Sequence, residues 1–184
     1  MPLGTIMNHC YLDGMAAIND VERSERLSLG GEAEILWAML DFHRSTFLWK
    51  CEGLDENQLR RRSVTPSELS LLDLLSHLTG AERHWFQECL LGSVLEPLYL
   101  AAPDGELNPL DPIPVEDVVQ RFLDTCDTSR RIASEHSLDE VVYSETFARA
   151  VNFRFIAVHM IEEYARHCGH ADLLREAIDG AVGE

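Results

Sequence analysis

His77, Glu163 and His167 are the residues of this sequence whose types and spacing point to chemistry. Glu163 and His167 stand four apart, which on an α-helix stacks carboxylate and imidazole on one face, about one turn from each other. With His77 they form a set of two imidazoles and one carboxylate. Such a set suits a divalent cation, zinc first and nickel or iron as alternatives, with positions left open for water or substrate. His159 precedes Glu163 by one turn and His170 follows His167 by three residues. These two are the candidate catalytic side chains, as general bases or as groups that position a ligand. An isolated Glu–His pair is commonly a solvated surface pair, and a lone core-edge histidine is commonly just hydrogen-bonded. Four titratable groups on one sector ask for a common partner, either a cation or a buried polar network.

Two helices must meet to assemble them. Advancing about 100° per residue from His159, the set Asn152, Ile156, His159, Met160, Glu163, His167, His170, Leu174 and Ile178 falls within roughly 100° of arc. That sector is expected to face a core, with Arg154, Glu162, Ala165, Gly169, Asp172, Glu176 and Asp179 outside. This helix runs from about residue 152 to 178 and stops at Asp179-Gly180. His77 comes from a helix that starts after Thr65-Pro66, with Ser70 as N-cap and Asp73 three residues on, a capping-box spacing. It carries Leu71, Leu74, Leu75, Leu78 and Trp85 and ends near Gly92. Asp73 has two candidate roles, capping that helix and orienting His77.

Two more helices complete the pattern. One spans about Glu32 to Lys50, with Leu36, Leu40, His43 and Phe47 on a stripe and Ile35, Met39 and Phe42 beside it. The other opens after Pro112 and Pro114 and carries Val115, Val118, Val119, Phe122, Cys126 and Ile132. Residues 93–114 hold five of the seven prolines, too many for a helix, and fit a crossover between bundle helices. The expected fold is all-α, a four-helix bundle with long crossover connections. A short strand is expected within residues 138–147. Residues 1–28 lack periodicity and read as an N-terminal arm before a domain at 29–184.

Composition narrows the function. The chain has 184 residues, enough for one domain, and 15 Lys+Arg against 32 Asp+Glu, for a net charge of −17. That charge repels nucleic acid and anionic lipid. No apolar run reaches the roughly 20 residues that span a bilayer, and the N-terminus has no secretory pattern. Five scattered cysteines without a C-x-x-C pair read as reduced thiols in a cytoplasm. H-E-x-x-H, Glu-x-x-His, phosphate-cradling glycine loops and G-x-S-x-G are all absent from the sequence. Cys168 points about 100° from His167 and is a poor co-ligand.

The stretches LDFHRSTFLWKCEGLDENQLRRRSV (40–64), SLLDLLSHLTGAERHWF (70–86) and VHMIEEYARHCGHADLLREAIDG (158–180) resemble the DinB-like superfamily of metal-binding four-helix bundles. The resemblance is strongest to the mini-circle protein branch, related to the N-terminal domain of mycothiol-dependent maleylpyruvate isomerase. It implies one metal ligand from the second helix and two, four apart, from the last, at positions matching His77, Glu163 and His167. Many relatives carry histidine at the position of Glu163, whereas the mycothiol isomerase branch carries glutamate. Where many relatives read His-Arg-Gly-Gln, this chain reads His167-Cys168-Gly169-His170. The resemblance implies a thiol-dependent, mycothiol-type S-transferase or isomerase, with a small electrophile and a low-molecular-weight thiol as partners. The alternatives are a hydrolase using a metal-bound water and a non-catalytic metal- or ligand-binding stress protein. Arg149 and Arg154 are candidates to meet an anionic substrate. Relatives often form homodimers, and Phe42, Trp37 and Trp49 would supply either an apolar dimer surface or core.

Overall fold

The computed structural model describes residues 18, 21–99, 110 and 112–183. Helices dominate: α1 (Glu32–Cys51), a single turn α2 (Glu56–Leu59), α3 (Leu71–Glu82), α4 (Val115–Glu135) and α5 (Phe153–Asp179). The chain of α3 runs on without a break into a π-helical stretch, Arg83–Leu90. Strands β1 (Val141–Ser144) and β2 (Arg149–Asn152) pair antiparallel, Val141 opposite Asn152 and Ser144 opposite Arg149. The fold is thus all-α with one minor hairpin, which leads directly into α5. The hairpin uses the strand expected within 138–147 and adds a second that its four-residue length had hidden.

Local chemistry explains the helix ends. The Ser70 hydroxyl accepts from the Asp73 N–H at 3.1 Å, and the Asp73 carboxylate accepts from the Ser70 N–H at 3.1 Å and its hydroxyl at 2.7 Å. Asp73 therefore caps α3. The Asn152 side chain accepts from the Phe155 N–H at 2.9 Å and starts α5. Gly180 ends it at φ 80°, the left-handed conformation that glycine adopts without a Cβ penalty.

α1 packs along α5, and α3 packs on both α4 and α5. Leu71, Leu74, Leu75 and Leu78 of α3 meet Val115, Val118, Val119 and Phe122 of α4 in one core, with Phe153, Ile156, Met160 and Tyr164 of α5. The core line of α1 differs from the expected stripe. Leu36, Ile35, Met39, Phe42 and His43 are only half-buried, while Leu40, Arg44, Phe47, Leu48 and Cys51 are buried. An arginine takes the inward position because a buried carboxylate awaits it, a pairing no hydropathy pattern records.

Of the aromatics proposed for a dimer surface, Trp37 packs inward on Phe153 and Phe86, at 5.2 and 6.2 Å between ring centroids. Phe42 and Trp49 lie under the Arg23 guanidinium, at 5.0 and 4.7 Å. The three are engaged within the chain. The described ends of the 93–114 connection are tied down by Arg83 and Arg121, which donate to the Glu96 and Leu98 carbonyls. At its far end Arg60 donates to the Leu110 and Ile113 carbonyls. Most of the expected arm, and the middle of this connection, lie outside the described residues.

Candidate metal centre

α3 and α5 bring His77, Glu163 and His167 together. One donor atom from each lies within 4.8 Å of the other two. Glu163 Oε2 is 3.3 Å from His167 Nε2 and 3.6 Å from His77 Nε2, and the two imidazole centroids are 4.6 Å apart. His77 is 53% exposed, whereas Glu163 and His167 are 16% and 13% exposed, so the cluster has two sheltered members and one open side.

His170 braces His167 from behind. Its Nδ1 lies 3.2 Å from His167 Nδ1, so one of those nitrogens donates and the other accepts. Whichever nitrogen donates in that pair, His167 Nε2 is the ring atom that faces the Glu163 carboxylate, at 3.3 Å. Burial, and then the neighbouring His77, hold the His167 pKa below the ordinary histidine value and favour the neutral ring. Burial works against the Glu163 charge. The contact with His77, and then His167, His159 and Arg166 nearby, outweigh it and hold the carboxyl below its ordinary value. One possible ligand atom from each of three side chains thus meets here, with Arg166, at 3.9 Å from the other carboxylate oxygen, as the nearest permanent cation. A divalent cation fits that donor set: two imidazole nitrogens and a carboxylate, with an exposed side for further ligands.

The α5 face differs from the expected one. Its buried line is Phe153, Ile156, Ala157, Met160, Tyr164, Cys168, Ala171 and Leu174, rotated by roughly 60° from the sector drawn through the histidines. The titratable line is the flank of the core, half-buried throughout. The expected sector counted Ile, Met and Leu but not Ala157, Tyr164 and Ala171, and therefore pivoted toward the histidines. Cys168 points inward, with its thiol pushed up to about 12 by burial. His159 stands beside the cluster, its Nε2 3.9 Å from Glu163 Oε1, and is held between Trp85 and Phe147 at 4.9 and 5.5 Å. Arg154 is committed elsewhere, to Glu32 and Asp139 at 2.6 and 2.8 Å.

The mycothiol-S-transferase family model matches residues 35–180. The chain belongs to this family. That span holds the whole cluster, His77 to His170, and agrees with the DinB-like resemblance. Among curated proteins none matches the chain. No helix among the described residues is long and apolar enough to cross a membrane.

Sequence reasoning missed a second charged cluster in this transferase-family bundle. Arg44 Nε and Nη2 donate to Glu82 Oε1 and Oε2 at 2.8 and 2.7 Å, and Arg44 Nη1 donates to Asp41 at 2.9 Å. The Tyr164 hydroxyl donates to Glu82 Oε1 at 2.8 Å. Glu82 has no solvent exposure at all. Burial disfavours the Arg44 charge, but Glu82 beside it holds the guanidinium firmly protonated. The Cys126 thiol next to this pair is pushed up to about 12, first by burial. The signal was present: Glu82 follows Leu78 by four, and Arg44 follows Leu40 by four, opposite charges on two apolar stripes.

Proposed function

We propose that this chain transfers a low-molecular-weight thiol of the mycothiol type to a small electrophile at a divalent-cation site held by His77, Glu163 and His167. The observation that carries this reading is the convergence of three lone-pair donors from two helices, open on the His77 side. Zinc suits the set best, with nickel or iron as alternatives. Bound there, a divalent cation supplies the positive charge that keeps a thiol in its thiolate form at neutral pH.

The chain's own residues have separate tasks. Glu163 Oε2 faces both imidazoles and sets the spacing of the donor atoms. His170 braces His167 from behind through the 3.2 Å contact, a positioning role rather than contact with reacting atoms. His159 Nε2, on the other carboxylate oxygen, stands ready to accept the thiol proton. The thiolate sulfur then bonds to the electrophilic carbon, and the leaving group departs with the electron pair of the bond that breaks. No cysteine of the chain is needed: the described ones are unpaired, and Cys51, Cys126 and Cys168 are buried.

The test is metal content by mass spectrometry on untagged protein and on His77→Ala, followed by thiol-dependent loss of a chlorodinitrobenzene-type electrophile. The expected result is close to one equivalent of metal in the native protein and little in the variant, with turnover only when thiol is added. Ester or amide hydrolysis without thiol would favour the metal-bound-water reading instead. Metal-free protein that resists reconstitution would overturn both.

A further inference from the structure

Next to the proposed centre lies a set of rings that the donor set does not use. Phe155 and His159, four apart on α5, stack with planes 2° apart and centroids at 6.2 Å. Phe147, from the hairpin turn, stands edge-on to both, at 5.3 and 5.5 Å. Trp85, from the π-helical stretch, stacks on Phe147 at 5.5 Å and meets His159 edge-on at 4.9 Å. Trp85 is buried, whereas Phe147, Phe155 and His159 are half-buried, so the shelf keeps an accessible surface.

Arg149 closes its outer end. The guanidinium carbon lies 5.5 Å from the centroids of both Phe147 and Phe155. Among the described residues it has no carboxylate or carbonyl partner, in contrast to Arg154, which two carboxylates hold. Its guanidinium thus rests against two rings with its donors unmet by any described acceptor. The turn that sets this geometry is strained: Ala148, between Phe147 and Arg149, sits at φ 48°, a region that residues with a Cβ rarely adopt. In a chain of net charge −17, an exposed arginine with no carboxylate partner among the described residues, beside half-buried aromatic rings, marks a place for an anion.

We propose that Arg149 and the Phe147–Phe155–His159 shelf bind a planar substrate carrying a carboxylate, which places the electrophile beside His159; that such a ligand is a transfer substrate rests on the thiol-transfer reading above. A single guanidinium offers one planar fork, the match for a carboxylate, and the parallel Phe155 and His159 rings, walled by the edge-on Phe147, offer apolar contact to a flat body. Phe155 precedes Glu163 by eight residues, about 12 Å along a helix axis, which fits a body of two to three fused or linked rings.

The test is calorimetric binding of 2-naphthoate and its neutral counterpart 2-naphthamide to the full chain, with and without added zinc. The native protein is expected to prefer the carboxylate by about ten-fold or more, the effect of a charge-assisted hydrogen bond. Arg149→Gln should erase that preference while leaving 2-naphthamide binding in place, and Arg149→Lys should restore part of it. Absence of saturable 2-naphthoate binding, an unchanged preference in Arg149→Gln, or an equal loss of both ligands would each overturn the proposal. His77→Ala should keep the preference, since Arg149 is outside the donor set. Retained preference with no thiol turnover in the native protein would therefore defeat the transfer reading alone.

Discussion

Two charged clusters lie on the α3–α5 side of this bundle, and they resolve the same problem in opposite ways. At Glu82 a fully buried carboxylate receives two bonds from Arg44 and one from Tyr164, all between 2.7 and 2.8 Å. Every strong acceptor there has a donor from the chain, and the site is closed. At Glu163 the carboxylate faces imidazoles at 3.3 to 3.9 Å, longer than hydrogen bonds of normal geometry apart from the closest. The first arrangement is complete and carries structure. The second leaves the spacing that the proposed cation would fill. A carboxylate among histidines is informative when its contacts are too long to satisfy it and one side is open to solvent.

The closed cluster is the more sensitive of the two to substitution. Glu82→Ala leaves Arg44 buried without its carboxylate, a change that typically costs about 3–5 kcal/mol. Chemical denaturation should show that loss, while metal content per folded molecule stays that of the native protein. A Glu82 variant that folds normally but loses metal would merge the two clusters into one functional unit. Next in size, His170→Ala removes the brace behind His167. Loss of such a partner usually lowers metal affinity by about 10–100-fold, with the ligands still in place. Competition with a chromogenic chelator measures it, and an unaltered affinity would make His170 a bystander. Tyr164→Phe is expected to cost about 1 kcal/mol by denaturation, since Glu82 keeps both Arg44 bonds.

The smallest effect separates a structural histidine from those at the rim. Burial, then the Arg26 charge, hold the His43 pKa below its ordinary 6.5, and its buried Nδ1 has no hydrogen-bond partner among the described residues. The unfolded chain therefore binds this proton more readily than the native one. The stability that His43 contributes is fully present above its unfolded pKa and is lost as pH falls through the lower, folded value. His43→Phe should unfold with a shallower loss of stability between about pH 7 and pH 5 than the native protein. Parallel curves would show that native and unfolded His43 take up their proton equally readily, and would overturn this assignment.

Much of the site is legible in the sequence because helical periodicity is local. The spacing of Glu163 and His167, the Ser70–Asp73 cap and the Asn152 and Gly180 ends of α5 follow from neighbours within a turn. The helical faces and the resemblance of the stretches around His77 and Glu163 selected the same three residues. What escaped was orientation. A hydrophobic wheel ranks side chains one at a time, so it turned α5 toward the histidines and left out Tyr164, whose burial depends on Glu82 from another helix. Arg44 escaped for the same reason: an arginine reads as solvated until its partner is placed.

The sequence by itself determined the helices, their caps, the acidic character and the residue types of the donor set, because these depend on side-chain chemistry and on contacts a few residues apart. Only the tertiary structure decided which charges pair and which stay open. Glu82 meets Arg44 across 38 residues, and Glu163 meets His77 across another helix interface. The hairpin that carries Phe147 and Arg149 to His159 is likewise a long-range arrangement. Whether a carboxylate is neutralised by its own fold or left for a ligand is a matter of a few ångströms between helices, and no pattern within one helix contains that distance.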